Sequence, residues 1–77
     1  MKKWKMRMFK VKPYEVTLDT GKKPTVDNEV VVGNINESGV FYGAVFEEGR
    51  FMGEVRYEKD EWENTYRGEE IPLPEGL

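Results

Sequence analysis

Residues Val30 to Lys59 repeat with a period of ten. Cut at that spacing they read VVVGNINESG, VFYGAVFEEG and RFMGEVRYEK, with glycine fourth in each unit (Gly33, Gly43, Gly53). An apolar residue holds the second and sixth places, acids cluster at the eighth and ninth, and the first two units close in Gly39 and Gly49. This period is too short for a helical repeat but suits one strand plus one tight turn. The stretch therefore predicts three consecutive strands of an up-and-down meander.

Register follows from the turns. Glu37-Ser38-Gly39 and Glu47-Glu48-Gly49 suit three-residue loops ending in a left-handed glycine, the one residue that takes positive φ without a steric cost. Asn36 then faces Val40, Phe46 faces Arg50, Gly33 faces Gly43, and Gly43 faces Gly53. Side chains alternate along a strand. The glycine face accordingly also carries Val31, Ile35, Phe41, Val45, Phe51, Val55 and Tyr57, which makes it the expected core. The second face carries Val30, Val32, Asn34, Tyr42, Ala44, Phe46, Met52, Glu54 and Arg56, a mixture of types. A glycine stripe on a core face marks either a sharp bend of the sheet or a groove for a closely approaching ligand or backbone. The bend is the expectation, because a small closed sheet needs such corners.

A chain of 77 residues allows one domain, and a domain of that size buries only roughly 60% of the surface its unfolded chain exposes. With no cysteine and no histidine, the core has no disulfide or thiolate site to assist it, and the commonest zinc ligand and general base are missing. Association into a homodimer is one way to cover what a single copy leaves exposed. No apolar run approaches the ~18 residues of a membrane span, and the amino-terminal segment has no apolar stretch of the signal-peptide kind. A cytoplasmic location with no membrane partner is expected, and the Asn36-Glu37-Ser38 sequon is then a coincidence.

Met1 to Lys12 carries half of the twelve basic residues and no acid. Trp4, Met6 and Met8 alternate with Lys5, Arg7 and Phe9, the period of a half-buried strand. Basic side chains interleaved with aromatics can follow a phosphate backbone and stack bases; equally, lysines on an edge strand keep other chains from pairing with it. A second strand follows Pro13, with Tyr14, Val16 and Leu18 on one side. Thr20-Gly21-Lys22-Lys23-Pro24 reads as a solvated turn, because the G-x-x-x-x-G-K spacing of a phosphate loop is missing.

After the meander the chain turns acidic, with ten acids against four bases from Glu47 onward. Trp62 and Tyr66 are four apart, so one helical turn or a bent loop puts both on one side. Tyr66 to Ile71 reads as a last strand and residues 72–77 as an extended tail. Pairing the basic first strand with the acidic last one would place Lys5 and Arg7 near Glu69 and Glu70, a contact that selects register more than it holds the fold.

Candidate chemistry is thin. Ser38, the one serine, has no histidine to serve as base, and no calcium-loop spacing occurs. Glu47 with Glu48, or Glu61 with Glu63, could form an acid pair, but acid runs on small domains are usually solvated. Tyr42 to Val55 resembles a MORN repeat through Tyr42, Phe46, Gly49 and Gly53. Ala44 and Val55 stand where that family has glycine, and the neighbouring units do not follow its longer period. The lipid-associated roles implied by the resemblance are therefore not carried over.

The sequence predicts an all-β single domain over residues 1–77, a small antiparallel meander curled into a five- or six-stranded barrel. It points to a non-enzymatic protein-binding module, such as a small regulator or inhibitor of a larger partner, without cofactor or metal. The expected surface comprises Tyr42, Phe46, Arg50, Met52, Glu54 and Arg56, since aromatic, methionine and arginine side chains are enriched at interfaces. The alternative is that this face packs beneath the first strand or against a second copy. The rival function is single-stranded nucleic-acid binding through Lys3, Trp4, Lys5, Arg7, Phe9 and Lys10, which the net charge of -3 opposes.

Overall fold

The structure, a computed structural model, describes residues 6–73. Its main body is a five-stranded antiparallel sheet with strand order β6-β5-β4-β1-β7. The strands are β1 (Arg7–Val11), β4 (Glu29–Ile35), β5 (Phe41–Glu47), β6 (Arg50–Tyr57) and β7 (Arg67–Ile71). Between β1 and β4 the chain forms an arm, a separate two-stranded hairpin of β2 (Tyr14–Glu15) and β3 (Thr25–Val26). Backbone bonds Val16 N to Pro24 O and Leu18 N to Lys22 O extend that pairing toward its tip. The meander is thus present as read, while β6 and β7 remain unpaired with each other. No closed barrel is found among the described residues.

The first hairpin has the expected register, with Gly33 opposite Gly43 and Ile35 opposite Phe41. Its loop is tied by Asn36, whose Oδ1 accepts from the backbone N–H of Ser38 and of Val40 at 2.9 and 3.0 Å. The second hairpin departs from expectation. Glu47 pairs with Arg50, so the loop holds two residues, Glu48 at φ 51° and Gly49 at φ 82°. That left-handed pair turns the strands with their natural twist. Phe46 then faces Phe51, Val45 faces Gly53, and Met52 is the extra residue of a β-bulge. Gly43 consequently faces Val55 rather than Gly53.

The glycines opposite each other do mark a close approach of backbone to backbone. A Cβ on Gly33 would lie 2.0 Å from the Tyr42 carbonyl oxygen, and one on Gly43 would lie 2.2 Å from that of Val32. β4 and β5 meet there with no space for a side chain.

β1 is an interior strand, not an edge, because β7 pairs on its outer side. Arg7 forms a two-pronged pair with Glu70 (Nε to Oε2 2.9 Å, Nη2 to Oε1 2.7 Å), and Lys10 lies 3.8 Å from Glu69. The expected meeting of basic first strand and acidic last strand is therefore seen, although Lys5 lies outside the described residues.

Since β6 and β7 occupy opposite edges, the link between them must cross the sheet. It does so as a short helix α1 (Lys59–Glu61) continued by a π-helical turn (Trp62–Tyr66), in which the Arg67 N–H bonds to the Trp62 carbonyl. The crossing carries Trp62 into the centre of the core face, where it is 1% exposed. Trp62 stacks on Phe41 at 4.4 Å and meets Phe9 edge-on at 5.1 Å. Phe9, Val11, Val31, Val45 and Phe41 complete the buried cluster, walled by Tyr14, Ile35, Val55, Tyr57 and Tyr66. Tyr66 stacks on Tyr57 at 4.3 Å and touches Tyr14 at 5.3 Å, which ties the crossing to the base of the arm.

Candidate functional site

The second face of the sheet is covered by nothing in the described chain. Such a face on an antiparallel sheet is ordinarily polar. Here the consecutive valines Val30, Val31 and Val32 put apolar side chains on both faces of β4, and Tyr42, Ala44 and Phe46 continue the outer one across β5. Met8 faces Val32 from β1, and Ile71 faces Met8 from β7. Tyr42 is 45% exposed and Met52 51%. The chain does not pack this face beneath its first strand, which lies in the same sheet.

An open trough of about 580 Å³ runs over this face. Val32, Gly43 and Ala44 line it together with Tyr42 and Arg56, Phe51 and Met6. The Arg56 guanidinium lies 5.6 Å from the Tyr42 ring centroid, and its Nε donates to the Tyr42 hydroxyl at 3.4 Å. Arg56 also pairs with Glu58, and the hydrogen bond with Tyr42, ahead of that with Glu58, raises the guanidinium pKa further. Phe46 and Phe51 meet edge-to-face at 5.9 Å. No family model, curated protein or solved structure matches this chain. What the face binds has to be read from the face.

Of the six residues expected there, Tyr42, Phe46, Glu54 and Arg56 do share it. Met52 is the exposed bulge residue beside them. Arg50 does not belong: it faces Glu47, whose alternation places both on the opposite side. Phe51, expected in the core, lies on the second face instead and is 61% exposed. Both errors come from the two-residue turn. Glu is a poor residue for a left-handed position, so the sequence favoured a three-residue loop by analogy with Glu37-Ser38-Gly39. Met6 and Met8 also join the face, a placement that the period-two pattern of the first strand already contained.

The basic first strand presents a different picture from a nucleic-acid track. Lys3, Trp4 and Lys5 lie outside the described residues. Phe9 is fully buried beside Trp62, so its ring has no face for a base. Arg7 is engaged by Glu70, and that hydrogen bond raises its pKa. Lys10 is exposed next to Glu69.

The perturbed tyrosines sit on the core side. The Tyr14 hydroxyl donates to Glu29 Oε1 at 2.7 Å; burial first, then this bond, pushes its pKa well above the usual tyrosine value. Burial, with the Glu29 charge next, pushes Tyr57 up to about 12. These hydroxyls stay protonated at neutral pH and serve packing. Among the described residues no group of acids converges into a metal-binding set, and no described helix is long and apolar enough to cross a membrane.

Proposed function

We propose that this protein is a non-enzymatic protein-binding module, of the kind that regulates or inhibits a larger partner, and that it binds through the second face of its sheet. One observation carries the reading: among the described residues nothing covers an apolar, aromatic-rimmed sheet face, and the core lies on the other face. Contiguous apolar surface of this extent on a small domain marks an interaction site. Tyr42, Phe46, Phe51 and Met52 supply the residue types that anchor interfaces. Two ion pairs lie at the margins, Arg56 with Glu58 and Lys10 with Glu69, and Glu54 stands beside the first. The fitting partner is thus a flat, apolar and nearly neutral protein surface rather than a strongly charged one.

The double change Tyr42→Ala with Phe46→Ala tests this. Neither side chain belongs to the buried cluster, so circular dichroism should report a folded chain. Loss of two anchors typically weakens binding by ~2 kcal/mol or more. Capture from the native lysate should therefore lose its specific partner. A folded double variant that retains the same partner would place binding elsewhere.

A further inference from the structure

We infer that a second copy of this chain occupies the face in the isolated protein, two sheets packing face to face as a two-fold sandwich that a larger partner must displace. This rests on the reading of the face as a protein-binding surface and names its resting occupant. Three features favour a second copy.

The first is area. Five strands at ~4.8 Å spacing and about seven residues at ~3.3 Å rise present roughly 500–600 Å². Two copies would bury roughly 1,000–1,200 Å², which clears the about 1,000 Å² that a biological interface needs and fits a dimer that a larger partner can displace. The second is charge. The β6 margin carries Glu54, Arg56 and Glu58, the last two paired with each other, and the β1–β7 margin carries the Lys10–Glu69 pair, so both margins hold both signs. A face with both signs on each margin can set base against acid when it meets itself, and a two-fold interface requires that self-complementarity. The third is the protection of the edges. The bulge at Met52 interrupts β6, and β7 is five residues long with Glu69 and Glu70 in it. Both devices discourage strand addition, so association is directed to the face. Packed sheets lie ~10 Å apart with interdigitated side chains, and the floor of Val32 and Ala44 leaves room for the aromatic ridges of the opposing copy.

Sedimentation equilibrium of the full chain across a wide concentration range tests this. The wild type should approach twice the 9.0 kDa of one copy. Ala44→Arg, on the floor of the face opposite Glu54, should fold yet weaken self-association at least about 30-fold, because a long side chain rising from that floor holds the two sheets apart. Should Ala44→Arg not fold, Phe51→Lys, at a position already 61% exposed, asks the same question and should also weaken the dimer.

A wild type that stays monomeric at every concentration overturns the inference, whether it then binds phosphatidylcholine vesicles or a different protein. If the folded Tyr42→Ala, Phe46→Ala variant nonetheless loses a foreign partner, the protein-binding reading survives that failure. A dimer untouched by both charged substitutions overturns the inference by placing self-association on another surface.

Discussion

Gly33 and Gly43 are where single atoms decide the fold. A methyl group on Gly43 would sit 2.2 Å from a backbone oxygen, which cannot swing aside as a side chain does. Gly43→Ala is therefore expected to lower stability by about 1–3 kcal/mol, the range of overpacked sites, read as a lower urea midpoint. The opposite sign is expected at Glu48, which holds φ 51° at the first position of a turn that prefers Asn or Asp. Glu48→Asn should raise the midpoint, adding up to ~1 kcal/mol of stability by relieving left-handed strain. Trp62 combines the most central packing with a buried Nε1 that has no hydrogen-bond partner among the described residues. Trp62→Ala should cost ~3–5 kcal/mol, near the whole margin of a domain this small, whereas Trp62→Phe keeps a ring and removes the unpaired donor. The phenylalanine variant should retain much of the stability that the alanine variant loses, and parallel urea melts would show the difference.

At the scale of the element, the second hairpin shows how a strand can be read correctly for the wrong reason. The expected partner of Phe41 was Val55, and the observed one is Tyr57. The two-residue turn shifts the pairing by one and the bulge by one more, so the alternation beyond Met52 returns to its expected side. Val55 and Tyr57 therefore line the core as the sequence implied, while Phe51 and Arg50, between turn and bulge, exchange faces. Nothing in Phe51-Met52-Gly53 announces a bulge, since apolar neighbours on either side of a strand look alike in one dimension. The first hairpin, by contrast, was fully legible, because Asn36 and Gly39 are the residues its loop chemistry demands. Deleting Met52 should be tolerated, with near-native circular dichroism and a small loss of thermal midpoint, because every flanking pair can form without it. Deleting Ala44 should unfold the chain, since β4 and β5 pair without a bulge that could absorb the loss and Val45 is thrown to the wrong face. A Met52 deletion that melts as low as the Ala44 deletion would refute the observed register.

On the scale of the whole molecule, the core is assembled by long-range contacts that local pattern could not supply. The four-residue spacing of Trp62 and Tyr66 implied that they share a side. Where that side would point depended on β6 and β7 taking opposite edges, which no local stretch encodes. The crossing brings Tyr57 and Tyr66 into one stack and seats Tyr14 against it, so two half-buried hydroxyls come to lie near the Glu29 carboxylate. Both are harder to ionise in the folded chain than in the unfolded one. Unfolded tyrosine loses its proton near pH 10, whereas Tyr57 in the fold holds it to about 12 and Tyr14 holds it still more firmly. Between those values the folded state binds more protons than the unfolded state, so stability must fall as pH rises. The contribution is complete below pH 10 and is lost through the interval from about 10 to 12 and beyond. Urea midpoints followed by circular dichroism from pH 9 to 12 should decline steadily in the wild type. Tyr14→Phe combined with Tyr57→Phe should flatten the decline, at the expense of the Tyr14–Glu29 hydrogen bond at neutral pH. An equally steep decline in the double variant would mean that the tyrosines do not set the alkaline limit of the fold.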